Sequence, residues 1–144
     1  MTVYFDTNVL VAAVLAKHPH HGQAAAMLRR AERREIRSFI AAHGLAEFYA
    51  ALTRIPIAPP VYPSEAWQIL EKNVFPYFEI ASLSAVEYRQ ALRACAAAGW
   101  TGGRIYDALH LAVARKTGCK QIWTFNVSHF RELAPDLADR VQTP

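Results

Sequence analysis

Three carboxylates, Asp6, Glu47 and Asp107, stand where the surrounding pattern leaves them available for chemistry. Asp6 closes a short β-prone run, Val3-Tyr4-Phe5. A residue just beyond the carboxyl end of a strand lies where open α/β sheets bind their ligands. Asn126 follows another such run, Gln121 to Phe125, so the two are predicted at the same edge of a sheet. Glu47 falls on a predicted helix, on the side away from Leu45, Phe48 and Leu52. Asp107 falls in the first turn of another, away from Ile105, Ala108 and Ala112. Both can therefore reach a cleft. Carboxylates crowded there repel one another and hold protons unless a divalent cation keeps them ionised. Each also has a purely structural reading: Asp6 as a helix cap, Asp107 as a complement to the helix dipole, Glu47 as a solvated charge.

The elements that would position these groups follow from periodicity and punctuation. After the first strand, Thr7 or Asn8 can cap a helix holding Val9, Leu10, Val11 and Val14. Gln23 to Glu35 reads as a helix with a basic tail, and Ile36 to Ala41 as a second strand. Leu45, Phe48, Tyr49 and Leu52 recur at i, i+3, i+4 and i+7, the spacing of an amphipathic helix. Pro56, Pro59, Pro60 and Pro63 stop it. Ser64 with Glu65 to Asn73 suggests a new capped helix, and Tyr77 to Ala81 a third strand. Ser84 and Glu87 form a capping box for a helix reaching Ala98. Gly99, Gly102 and Gly103 form a loop before the Asp107 helix, which Gly118 ends. Gln121 to Phe125 is the fourth strand, followed by a short turn or helix at Asn126 to Leu133. Strands alternating with helices imply an α/β fold with a parallel sheet covered on both faces.

Composition agrees with one domain, residues 1–144. Hydrophobic residues make up 53% and charged residues 19%, which excludes a disordered chain. The net charge of +4 permits a polyanionic partner without requiring one. Cys95 and Cys119 form no Cys-x-x-Cys pair, and two reduced thiols or one disulfide both fit. The opening residues read as a strand, with no signal peptide expected, and no apolar run is long enough to span a bilayer. A cytoplasmic protein is expected.

Four short motifs, in order, resemble those of PIN-domain nucleases. They are the strand and turn Val3-Tyr4-Phe5-Asp6-Thr7-Asn8, the helical Ala46-Glu47, the helix opening Asp107-Ala108-Leu109-His110, and the turn Thr124-Phe125-Asn126. The resemblance runs from residue 1 to about 133. It implies a three-layer α/β/α domain with a central parallel sheet of about four or five strands. It implies Asp6, Glu47 and Asp107 as catalytic ligands of Mg²⁺ or Mn²⁺, with Thr7, Asn8 and Thr124 as supporting hydrogen-bond groups. Asn126 stands where many members carry a fourth carboxylate, which offers it as a further but neutral and weaker metal ligand, and His129 stands where an Asp is frequent. The implied reaction is metal-assisted hydrolysis of RNA phosphodiester bonds. A stand-alone domain of this size further resembles the VapC-type toxins of toxin–antitoxin pairs, implying a small antitoxin partner and a homodimer.

Other residues admit RNA contact. Arg29 and Arg33 belong to a basic helix, which also reads as a solvated face paired with Glu32 and Glu35. Arg104, beside Gly102 and Gly103, starts the Asp107 helix and could help hold a phosphate. His18, His20 and His21 lie in a proline-containing turn without a fixed scaffold. His110, one turn from Asp107, reads as a helix-surface residue or an outer partner of the site. Trp67, Trp100 and Trp123 read as core or interface residues. Two other functions compete with a toxin: a non-catalytic RNA- or protein-binding module, and a housekeeping RNA-processing nuclease. An aspartyl-nucleophile phosphatase is disfavoured because Asn8 stands where its second Asp belongs.

Overall fold

Alternation along the first strand sets the layers. In the computed structural model, which describes residues 1–144, β1 (Thr2–Phe5) turns Val3 and Phe5 to one face and Tyr4 to the other. All three are essentially inaccessible to solvent, as a central parallel strand covered on both sides requires. The chain continues through α1 (Thr7–Val14), α2 (His21–Glu32), β2 (Arg37–Ala41), α3 (Ala42–Arg54) and α4 (Pro63–Ile69). A π-helical turn, Leu70–Val74, extends α4. Then come β3 (Phe78–Ala81), α5 (Ala85–Ala98), α6 (Arg104–Thr117), β4 (Gln121–Trp123), α7 (Val127–Leu133), a 3₁₀ turn at Pro135–Arg140 and β5 (Val141–Gln142).

The five strands are all parallel, in the order β3-β2-β1-β4-β5. One face carries Val3, Phe5, Ile40, Phe78 and Trp123 against α1, α2, α3 and α4. The other carries Tyr4, Phe39, Ala41 and Ile122 against α6 and α7, through Leu111, Val113, Phe130 and Leu133. The expected three-layer α/β/α architecture is therefore the one observed, with β1 central. β5 comes from the tail after Pro135 and pairs with β4 at Ile122↔Val141. Its two residues are too few to show a period of their own.

Local departures have local causes. Asp6, rather than Thr7 or Asn8, occupies the N-cap position of α1, and its side chain makes no capping bond. α2 ends at Glu32, and the turn beyond it places Arg34 in the left-handed region at φ 57°. α4 starts with Tyr62 at the N-cap and Pro63 at the first turn, in place of Ser64, because proline lacks the N–H that this position leaves unused. On α6 the buried face is Leu109, His110, Leu111, Val113 and Ala114, whereas Ile105, Ala108 and Ala112 are only half-buried. The Ser84–Glu87 capping box forms as expected, each group bonding the other's backbone N–H. Both cysteines are free and buried. Trp123 is core, and Trp67 is 53% exposed. No helix is long and apolar enough to cross a membrane.

Candidate metal centre

The ends of β1 and β4 are hydrogen-bonded neighbours, and this brings Asp6 to Thr124. The Asp6 N–H donates to the Trp123 carbonyl at 2.9 Å. The Thr124 hydroxyl donates to Asp6 Oδ2 at 2.7 Å and accepts from the Asn126 N–H at 3.0 Å. Asn8 Oδ1 accepts from the Phe125 N–H at 3.4 Å, tying the two turns together. Thr124 and Asn8 thus brace the turn that carries Asp6. Thr7 Oγ1 lies 3.4 Å from His110 Nε2.

The helices deliver the other groups. Glu47 from α3 and Asp107 from the first turn of α6 share with Asp6 a cleft of about 510 Å³, whose wall also includes Thr7, Asn8 and Asn126. Asp6 is only 4% exposed. Burial raises its pKa above the usual carboxylate value, opposed by His110 and the Thr124 hydroxyl and reinforced by Asp107. Burial likewise raises Asp107, opposed first by His129, whose Nδ1 lies 2.8 Å from Asp107 Oδ2.

His110 is 1% exposed, correcting its reading as a surface residue. The 100°-per-residue turn of α6 puts it on the sheet-facing side, beside Leu111 and Ala114. Its Nδ1 meets the Tyr4 hydroxyl at 2.5 Å, and its Nε2 lies 3.0 Å from Glu47 Oε1 and 3.6 Å from Asp6 Oδ1. Burial alone would lower its pKa, but Glu47, Asp6 and Asp107 together outweigh that and raise it. His43 Nε2 approaches Glu47 Oε1 at 3.2 Å, and burial and the neighbouring His110 lower the His43 pKa to about 4. The two imidazole approaches to Glu47 are short but lack hydrogen-bond alignment, so Glu47 Oε1 and His43 Nε2 are buried without hydrogen-bond partners.

These residues fit a hard divalent cation. Asp6, Glu47 and Asp107 present oxygen donors to one cleft, and the buried carboxyl of Asp6 is costly to ionise by itself. A Glu47 oxygen inside the fold lacks a hydrogen bond. A cation bound among them would remove both costs.

Two residues of the cleft wall escaped the sequence reading, Arg54 in the last turn of α3 and Tyr106, which is 55% exposed. Tyr106 adjoins Asp107 and Arg54 stands two helical turns after Glu47, but nothing in the spacing separates them from ordinary surface residues. Arg104, Arg29 and Arg33 lie outside this wall. Arg104 is 3.9 Å from Glu132, Arg33 is 3.9 Å from Glu35, and Arg29 borders a separate hollow with Glu32 and Asn73. His18 and His20 stack on Phe125, and His18 reaches the cleft rim.

A parallel sheet with carboxylates gathered at its carboxyl edge is the arrangement read from the four motifs, and the chain belongs to the PIN-domain family, whose model matches residues 3–134. It is 33% identical over 119 residues to Ribonuclease VapC40 of Mycobacterium tuberculosis, covering 80% of each chain. Among solved structures it resembles the sarcin–ricin-loop-cleaving toxin VapC20 of M. tuberculosis, with a TM-score of 0.69 and 20% identity over 88% of this chain and 92% of that one. It also resembles a chain of VapBC2 from Rickettsia felis, with a TM-score of 0.69 and 20% identity over 100% and 99%. For FitAcB from Neisseria gonorrhoeae the TM-score is 0.65 and the identity 17%, over 99% and 96%. At these identities the structural likeness concerns the fold.

Proposed function

We propose that this protein is a ribonuclease that hydrolyses RNA phosphodiester bonds with Mg²⁺ or Mn²⁺, and that it is the toxin of a type II toxin–antitoxin pair. The observation that carries the reading is the convergence of Asp6, Glu47 and Asp107 on one cleft at the sheet's carboxyl edge. Family membership and the relationship to a VapC ribonuclease support it. The cytoplasm is the proposed place of action.

In this mechanism Asp6, Glu47 and Asp107 would hold the cation. When bound, it would supply charge neutralisation at the scissile phosphate and the acidification of water that hydrolysis at neutral pH needs. Thr124 keeps Asp6 oriented, since its hydroxyl is itself fixed by the Asn126 N–H. Asn126 contributes a neutral amide to the cleft wall, which leaves three carboxylates to hold the ion and favours one metal over two. Arg54 and the exposed face of Tyr106 are placed to receive a phosphate and a base, and Arg104, Arg29 and Arg33 would act only on flanking RNA.

An antitoxin is the proposed protein partner, with a basic side chain entering the acidic cleft. Structural neighbours solved as VapBC2 and FitAB complexes support that assembly. A homodimer is proposed through the proline segment and the exposed Trp67–Phe75 pair, whose ring centroids are 5.9 Å apart.

The deciding experiment is cleavage of total cellular RNA by the purified protein, with Mg²⁺ or Mn²⁺ and with EDTA, beside Asp6→Asn and Asp107→Asn. Defined cuts that need the metal and vanish in both variants are expected. Folded, inhibitor-free protein that cuts nothing would instead make it a binding module.

A further inference from the structure

Glu47 Oε1 sits between two imidazole nitrogens, His43 Nε2 at 3.2 Å and His110 Nε2 at 3.0 Å. His43 and Glu47 stand one turn apart on α3, and His110 faces them from α6. The three donor atoms lie within 4.8 Å of one another, and Asp6 Oδ1 is 3.6 Å from His110 Nε2. An ion with metal–donor bonds of about 2.0–2.1 Å in a tetrahedral shell separates its donors by roughly 3.4 Å. The observed spacings of 3.0, 3.2 and 3.6 Å scatter around that edge length. Charge attraction holds Glu47 against His110 without an ion, but it leaves His43 Nε2 and Glu47 Oε1 buried with no aligned hydrogen-bond partner, which an ion among them would satisfy. The far nitrogen of His110 is anchored on the Tyr4 hydroxyl, the kind of outer contact that fixes the tautomer of a ligating imidazole.

We propose that His43, Glu47 and His110, with Asp6 completing the set, form a site for a borderline transition-metal ion such as Zn²⁺. It is separate in its imidazole ligands from the all-oxygen Mg²⁺ or Mn²⁺ site but shares Glu47 and Asp6 with it. Imidazole donors favour Zn²⁺ strongly over Mg²⁺. An ion here takes two of the three carboxylates from the proposed catalytic cation, so Zn²⁺ switches cleavage off. That inhibitory consequence rests on the nuclease reading above, whereas the binding itself does not.

Cobalt(II) reports such a site directly, because a four-coordinate ion absorbs intensely in the visible and a six-coordinate one only weakly. Tag-free, chelator-treated protein would be titrated with Co²⁺ in excess Mg²⁺. One equivalent of intense, Zn²⁺-displaceable absorption is expected, retained in Asp107→Asn. Loss of an outer-shell partner alone weakens metal affinity about 10–100-fold, so His43→Ala should weaken Co²⁺ at least that much. A melting curve matching wild type would show that His43→Ala is folded. Pale six-coordinate absorption would overturn the proposal. So would a signal lost in Asp107→Asn but kept in His43→Ala, or one that follows His18→Ala and His20→Ala. In the cleavage assay, stoichiometric Zn²⁺ should abolish Mg²⁺-dependent cutting by wild type, and His43→Ala should need at least about tenfold more Zn²⁺. Should the chain cut no RNA at all, the cobalt spectrum still decides the site.

Discussion

Asp6 shows how the site works against the fold at the scale of one residue. Its folded pKa is raised, so the native state keeps a proton that the unfolded chain releases. The stability this contributes is present below the ordinary value of 3.8 and is lost as pH rises through the folded pKa. At neutral pH without metal the ionised group is therefore a cost. Asp6→Asn keeps an acceptor for Thr124 and removes the charge. We expect the metal-free variant to be more stable than wild type at pH 7 by about 0.5–2 kcal/mol, with the difference shrinking in acid. Urea denaturation at the two pH values measures this, and a variant less stable at pH 7 would contradict it. Gly44 acts at the same scale. A Cβ there would stand 3.2 Å from Thr7 Oγ1 and 3.4 Å from His110 Cε1. Alanine favours the helix by about 0.5–1 kcal/mol, yet must push those neighbours by a few tenths of an ångström. Gly44→Ala should leave the melting temperature nearly unchanged while lowering metal-dependent cleavage several-fold. Wild-type rates in that variant would show that this packing is not tied to the site.

At the scale of elements, α5 depends most visibly on its ends. Its only fully buried residue is Cys95, so little packing fixes its register. The Ser84–Glu87 box supplies two backbone N–H partners at its start, and Glu87 also pairs with Lys116 of α6 at 2.6 Å. Gly99, at φ 72°, closes the other end in the left-handed region. Ser84→Ala should cost about 0.5–2 kcal/mol in chemical denaturation and leave cleavage intact, since α5 contributes nothing to the cleft. Loss of activity without loss of stability would mean that α5 touches the RNA or the partner.

At the scale of the whole molecule, the proposed metal site would couple ion binding to folding, because the cleft's carboxylates come from the end of β1, from α3 and from α6 and meet only in the native chain. An ion that binds only the native state stabilises it by about 2.7 kcal/mol at one hundred times its Kd. Millimolar Mg²⁺ or Mn²⁺ should thus raise the melting temperature of wild type and leave Asp6→Asn almost unmoved. Calorimetry with and without EDTA tests this, and an equal rise in the variant would place the ion elsewhere.

Much of this protein is legible in the order of its residues. Alternation in Val3-Tyr4-Phe5, the capping box at Ser84 and the proline stop after α3 are local signals, and local sterics and hydrogen bonding suffice to read them. The carboxylates at strand and helix ends were legible for the same reason. The partners of those carboxylates were not. Whether His110 faces solvent or core depends on the rotation of α6 against β2, which is set by the packing of Leu111, Val113 and Ala114. Nothing in the spacing reveals that His43 and His110 meet at Glu47, or that Gly44 clears the space beside them. β5 exists because β4 offers it an edge. Sequence determines the period and the caps of each element. Tertiary structure alone decides which side chains, distant along the chain, share a dry pocket, because burial and ion spacing are properties of elements packed together.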